Sequence, residues 1–282
     1  MADGNSVIAV HTGSDGLRFY WNEFGTNNWH GEQVAADGTT FSDPAIAQIG
    51  NTVVIAAEGI FNSLDLYWQT NGASGWNMET VAGIQTTYSA PSLAQNGNTT
   101  ISAAQGPSNS LDFYWAFNGT ATWYPDVVAG ADSVGGTPAI SAHDNGVNIV
   151  AFNYGRFEST FYWAFNGSST WTASKMPGGD DTPSSIVAYP GNPGGVHVVA
   201  AELFGYMDVS TNVNGSGTWT SVDVIQGAPS APGKTAGNPS ITMNDGSVNI
   251  AVEGEPGDLW FFWQDSSGAF HQETVDTSAN LS

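Results

Sequence analysis

The sequence predicts an all-β protein, a six-bladed β-propeller of four-stranded antiparallel blades built from repeats of about 47 residues. Three observations predict it. The stretches "SLDLYWQTNGASGW" (63–76), "SLDFYWAFNGTATW" (110–123) and "STFYWAFNGSSTW" (159–171) are near copies of one another. The Trp that follows an aromatic residue recurs at Trp21, Trp68, Trp115, Trp163 and Trp263, and the first three steps are 47, 47 and 48 residues. No stretch sustains a 3.6-residue apolar period, whereas 35 Gly and 13 Pro punctuate the chain with turn signals. A period in the forties with several short strands per copy is that of propeller blades.

The repeat that opens at Pro91 shows the elements in order. Strand A is "PSLAQ", the Asn-Gly turn "NGN" follows, and strand B is "TTISAAQ". The loop "GPSNS" leads to strand C, "LDFYWAF", and the turn "NGTA" leads to strand D, "TWYPDVV". Strand C is apolar on both alternating faces (Leu111, Phe113 and Trp115 on one, Tyr114 on the other). A blade packs on neighbours at both faces, whereas a two-sheet sandwich would alternate more cleanly. A second Trp follows eight residues after the first, at Trp29, Trp76, Trp123 and Trp171. Pro44, Pro91, Pro138, Pro183 and Pro239 open five of the units. A degenerate copy, "YMDVSTNVNGSGTW", puts Ser210 in the Trp place with Trp219 nine residues on, and the last copy has His271 where the second Trp is expected. Six copies fill the 282 residues, so 1–282 reads as a single propeller domain. Strand A occurs five times and strands B, C and D six times. The C-terminal "TSANLS" resembles "YSAPSLA", so residues 279–282 are expected to complete the first blade and close the ring between N- and C-terminal strands.

Composition narrows the function. Four basic residues (Arg18, Arg156, Lys175, Lys234) stand against 26 acidic ones, a formal charge of −22. Such a chain repels nucleic acid and anionic membranes and leaves neutral partners allowed. There is no Cys, hence no disulfide or thiolate chemistry. "MADGNSVIAV" lacks the basic and apolar regions of a signal peptide, and no apolar run nears the ~18 residues of a spanning helix. The five His have no metal-ligand spacing, and no HExxH, CxxC or GxSxG motif is present, so no metal, cofactor or catalytic residue is expected.

The order Pro-Ala strand, Gly turn, strand, Gly loop, aromatic strand, Gly turn and Trp resembles the bacterial β-propeller lectins related to those of Photorhabdus. The resemblance runs the full length at the level of pattern. Those relatives usually have seven blades, whereas six repeats are counted here. Six-bladed lectins of the fungal fucose-binding type use an Arg at each sugar site, and two arginines cannot supply six sites.

In a propeller the B–C and D–A connections share one face. Their variable lengths here, from 177–183 to 227–239, direct the search to that face. A polar residue ends strand B in each repeat: His11, Glu58, Gln105, Asn153 and Glu253, with Glu202 in the degenerate copy. Phe41 and Tyr88 share a D–A position twelve residues past Trp29 and Trp76. Sugars need this mixture, because hydroxyls take planar polar groups and C–H faces stack on aromatic rings. The alternative role of the polar ring is to cap loop backbone groups. The sequence therefore points to a non-catalytic carbohydrate-binding protein with several similar inter-blade sites for neutral glycans, made avid by multivalency. A protein-interaction or toxin/appendage scaffold is the alternative. A propeller glycoside hydrolase using Glu58, Glu202 or Glu253 is third, since two carboxylates would be enough.

Overall fold

A computed structural model describes residues 7–22, 28–70, 73–143, 146–153, 155–165, 168–176, 182–189, 195–201, 207–213, 218–227, 235, 238–244, 246–254 and 257–276. Six antiparallel sheets follow one another along the chain, each a simple meander, and they are the blades of a six-bladed β-propeller. Blade 1 holds β1 (Val7–His11), β2 (Leu17–Asn22) and β3 (Trp29–Ala35). Blade 2 holds β4 (Ala45–Ile49), β5 (Thr52–Glu58), β6 (Leu64–Thr70) and β7 (Asn77–Ala82). Blade 3 holds β8 (Ser92–Asn96), β9 (Thr99–Gln105), β10 (Leu111–Phe117) and β11 (Tyr124–Ala129). Blade 4 runs β12 (Ala139–His143), β13 (Gly146–Asn153), β14 (Glu158–Phe165) and β15 (Thr172–Lys175). Blade 5 runs β16 (Thr182–Tyr189), β17 (Gly195–Ala201), β18 (Met207–Val213) and β19 (Trp219–Asp223). Blade 6 runs β20 (Ser240–Asn244), β21 (Ser247–Gly254), β22 (Asp258–Gln264) and β23 (Phe270–Asp276). Among the described residues, helix is confined to the turn Val224–Gly227 and the 3-10 turn Pro107–Asn109. The chain packs as two compact units, Met1–Pro138 and Ala139–Ser282. Blade 1 has three strands among the described residues, and the expected closing segment 279–282 lies outside them.

Strand pairing corrects two sequence assignments. Thr211 pairs with Thr220 as Trp163 pairs with Thr172, and Trp219 lies eight residues past Thr211. Thr211, not Ser210, therefore holds the Trp place, and the eight-residue spacing to Trp219 agrees with the pairing. Likewise Trp263 pairs with His271 as Trp68 pairs with Asn77, so buried Phe270, not His271, fills the slot of the second Trp.

The outer two strands of four blades share a β-bulge. Leu64 pairs with Ala82 and Asp65 with Thr80, leaving Val81 extra, and the same geometry singles out Val34, Val128 and Val275. A bulge re-aims the side chains beyond it. Val34 and Val81 pack into the cores between neighbouring blades of the first unit.

Those cores carry a repeated polar latch. Trp76 Nε1 donates to Glu32 Oε1 at 2.9 Å, and Trp123 Nε1 to Glu79 Oε1 at 2.8 Å. In the second unit, Trp219 Nε1 donates to Ser174 Oγ at 3.4 Å. In blades 2, 3 and 5 the outer-strand Trp thus bonds to the outer strand of the blade before it. At the next step of this register Val222 stands in the acceptor place and Phe270 in the donor place, so acceptor and donor disappear together.

A hydrogen bond to a charged acceptor contributes about 1.5–3 kcal/mol. Half-buried Trp76 should give the lower part of that range. Trp76→Phe and Glu32→Ala should each cost about 1–2 kcal/mol, a Tm drop of roughly 2–4 °C per kcal/mol for a chain of this size. The double variant should fall short of additivity by about 1 kcal/mol in denaturant titrations. Full additivity would mean that the pair is not coupled.

Candidate functional site

The B–C and D–A connections are stitched together in the same way in three blades. Phe61 O accepts from Gln85 N–H at 2.8 Å, and Asn62 O accepts from Thr86 and Thr87 N–H at 2.9 Å. Ser14 and Asp15 carbonyls do this for Gly38, Thr39 and Thr40, and Ser108 and Asn109 carbonyls for Asp132, Ser133 and Val134. The turning residues are left-handed, with φ of 57° at Asp15, 61° at Asn62 and 60° at Asn109. Asx-type and left-handed turn chemistry at Asp and Asn is what makes this geometry affordable to a non-glycine chain.

Five residues of the polar ring, His11, Glu58, Gln105, Asn153 and Glu253, lie at or next to the ends of strands B, and side-chain bonds of the first four run to the adjoining loops. His11 Nε2 lies 2.9 Å from Thr40 O and 3.4 Å from Asp15 Oδ1. Glu58 Oε1 accepts from Asn62 Nδ2 at 2.6 Å, and burial raises its carboxyl against that bond. Gln105 donates Nε2–H to Asn109 Oδ1 at 2.8 Å and accepts Gly136 N–H at 2.7 Å. Asn153 Oδ1 accepts Arg156 N–H at 3.0 Å. Glu253 lies in β21 opposite Leu259. Glu202 lies outside the described residues, and the register puts Ala201 opposite Met207 where Glu58 lies opposite Leu64. The aromatic pair is brought to the ring: Phe41 N–H donates to Glu58 O and Tyr88 N–H to Gln105 O, both at 2.8 Å. Phe41 and Tyr88 are 44% and 42% exposed.

Behind these loops strand C carries carboxylates that the sequence reading passed over. Asp65 is buried, accepting from Thr80 Oγ1 at 2.9 Å and Ser63 Oγ at 3.3 Å. Asp112 repeats the arrangement with Ser110 Oγ at 2.8 Å, and Asp208 with Ser221 Oγ at 3.1 Å. Burial pushes all three carboxyls up, and the hydroxyl donors pull them part of the way back. Gly59 and Gly106 leave the room for Asp65 and Asp112, since a Cβ at either would collide with the carboxylate. Burial, with Asp112 nearby, also pushes the Tyr114 phenol up to about 12. The signal was available as the repeated "SLD" in two copies.

On the opposite side, among the A–B and C–D turns, blades 2 and 3 enclose a cleft of about 500 Å³. Trp68 and Leu66 form one wall, Phe117 and Trp123 the other, and Glu79 and Asn118 supply planar polar groups. Glu79 is fixed by the Trp123 latch, and Asn118 Oδ1 accepts Thr100 Oγ1–H at 2.9 Å. The cleft coincides with a substitution in the repeat. At the position of Leu66 four other copies carry Phe19, Phe113, Phe161 and Phe261, and the degenerate copy carries Val209. Phe19 meets Trp76 edge-on at 5.2 Å between centroids, and Phe161 meets Trp219 at 5.1 Å, so a ring fills the corresponding space. The shorter Leu66 leaves it open against Trp123. The cleft lies away from the B–C and D–A face to which the variable loop lengths direct the search. The change from "LDFYW" to "LDLYW" was the available signal.

No family model and no curated protein matches the chain. Many solved structures share its fold. It is similar to the BP39L lectin from Burkholderia pseudomallei, with a TM-score of 0.81 and 18% identity over 98% of this chain and 81% of that one. The lectin of Aleuria aurantia, described as a six-bladed β-propeller with a novel fucose recognition mode, gives 0.65 and 12% over 98% and 96%. The SapL1 lectin in complex with alpha methyl fucoside gives 0.62 and 12% over 99% and 97%. At these identities the likeness is one of fold.

The buried carboxylates make a pH prediction. With its pKa raised above the ordinary 3.8, the folded form of Asp65 holds its proton more tightly than the unfolded chain does. Its contribution is therefore most favourable below the ordinary value and is lost as pH rises through the raised one. Asp65→Asn removes that loss. The stability difference between Asp65→Asn and wild type should move in favour of the variant as pH is taken from 3 to 7, read from urea midpoints. A difference that is flat in pH would mean that the carboxyl is not perturbed.

Proposed function

We propose that the chain is a carbohydrate-binding protein that binds neutral sugars non-catalytically in inter-blade clefts. The observation that carries this reading is the Leu66 cleft, where aromatic walls face a fixed carboxylate and a carboxamide in a space of about 500 Å³. Trp68, Phe117 and Trp123 offer faces for the C–H side of a pyranose. Glu79 and Asn118 offer acceptors and a donor for its hydroxyls, and Glu79 is already oriented by Trp123. No basic residue lines the cleft, so an acidic sugar would face Glu79 without a counter-charge. One carboxylate lines it, whereas glycoside hydrolysis uses a pair. That three solved structures sharing the fold are lectins, one of them in complex with alpha methyl fucoside, supports the same reading. The ring residues with Phe41 and Tyr88 remain a separate proposed contact surface, on the side of the B–C and D–A loops.

Valency follows from the same position. Clefts occupied by Phe19 and Phe161 are plugged, and the one at Leu66 is open. A titration with methyl α-fucoside and a panel of neutral glycosides should find binding that Leu66→Phe weakens by about ten-fold or more, with the fold intact by circular dichroism. Phe161→Leu should add a site per chain in calorimetry, at a stability cost of about 1–2 kcal/mol. Unchanged binding in Leu66→Phe would move the sugar site elsewhere.

A further inference from the structure

A second cleft of the first unit lies on the loop side, where the link after β3 meets the B–C loop and outer strands of blade 2; its volume is about 520 Å³. Its rim is apolar and open to solvent: Ile60 is 44% exposed, Phe61 73%, Met78 50% and Ile84 64%. Phe61 holds this position at a φ of 57°, a left-handed conformation costly to a bulky residue. Its carbonyl is clamped by Gln85 N–H, so the ring is displayed by a built loop. The floor is polar, formed by Asp65 and Tyr67, both 5% exposed. Thr80 and Ser63 occupy two acceptor positions of the Asp65 carboxylate, which has about four. Among the described residues no basic side chain is bonded to it. With four basic residues in 282, the chain has little means of supplying one.

We propose that this cleft docks a lysine side chain presented between apolar residues by a partner protein. The methylene stem lies along Ile60, Phe61, Met78 and Ile84, and the ammonium meets Asp65 beside the Tyr67 hydroxyl. Charge complementarity selects this occupant: a −22 chain with a buried, cation-free carboxylate attracts a cation. Lysine fits better than arginine because a compact ammonium reaches a nearly closed floor that a planar guanidinium cannot enter. The site is on the other turn side from the Leu66 cleft and is independent of the sugar reading.

The test is an amide NMR titration of the full chain with the peptide Ac-Leu-Lys-Leu-NH2 and its norleucine analogue, which lacks the ammonium. The lysine peptide should shift the amides of Gly59, Phe61 and Ile84 and bind about ten-fold or more tightly than the analogue. Its affinity should fall as NaCl is raised. Phe61→Ala, at an exposed position, should weaken both peptides with the spectrum otherwise unchanged, and Asp65→Asn should bring them to parity. Equal binding of both peptides to wild type would reduce the cleft to an apolar groove and overturn the proposal. So would the absence of shifts at millimolar lysine peptide, or the same amides responding to methyl α-fucoside instead.

Discussion

The interaction on which this architecture turns is the tryptophan N–H that reaches from one blade to the preceding one. An indole has one donor, and burying it without an acceptor costs about 1–3 kcal/mol. The repeat solves this by writing an acceptor two residues after the outer-strand partner of the anchor: Glu32 for Trp76, Glu79 for Trp123 and Ser174 for Trp219. Phe270 needs no acceptor, and Val222 stands in that place. The donor and the acceptor lie about 45 residues apart and vary together within one chain. This makes the latch a constraint between repeats and explains why a blade's outer strand cannot drift in sequence independently of its neighbour.

Much of this was legible in the sequence. Strands B and C of blade 3 are observed at the residues read from the text, Thr99–Gln105 and Leu111–Phe117, because their bounds are set by Asn-Gly turns and an apolar run. The outer strands were less legible. Their bulges at Val34, Val81, Val128 and Val275 shift the pairing by one residue without any Gly or Pro to announce it. Register failed where the aromatic markers fail, at Thr211 and Phe270. The eight-residue spacing back from Trp219 already favours Thr211 over Ser210, and strand pairing agrees.

The candidate site was harder to read because the residues proposed to bind and those that pack are the same types here. Trp68 and Trp123 occupy places whose counterparts Trp21, Trp76, Trp163 and Trp219 pack against cores, and what sets their cleft apart is the shorter Leu66, a change between two apolar residues. The polar ring was conspicuous because polar residues at strand ends stand out. Its members at His11, Gln105 and Asn153 satisfy loop backbone groups, which is why such residue types recur there without being identical.

Charge connects the two clefts. A chain of −22 with four basic residues cannot neutralise its interior carboxylates with its own cations, so it holds them with hydroxyls and indoles. Thr80 and Ser63 hold Asp65, and Trp123 holds Glu79. Neutral donors orient a carboxylate and leave its charge in place, so each cleft keeps an acceptor of fixed direction. Where the acceptor is flanked by aromatic walls, as at Glu79, a neutral polyol matches it, because several hydroxyls can bond while no charge is buried uncompensated. Where it lies at the bottom of an aliphatic rim, as at Asp65, a hydroxyl-rich ligand would leave that rim unmatched and a stemmed cation matches both parts. Under the two proposals, the same deficit of basic residues serves two different ligand chemistries, and the residues around each carboxylate decide which.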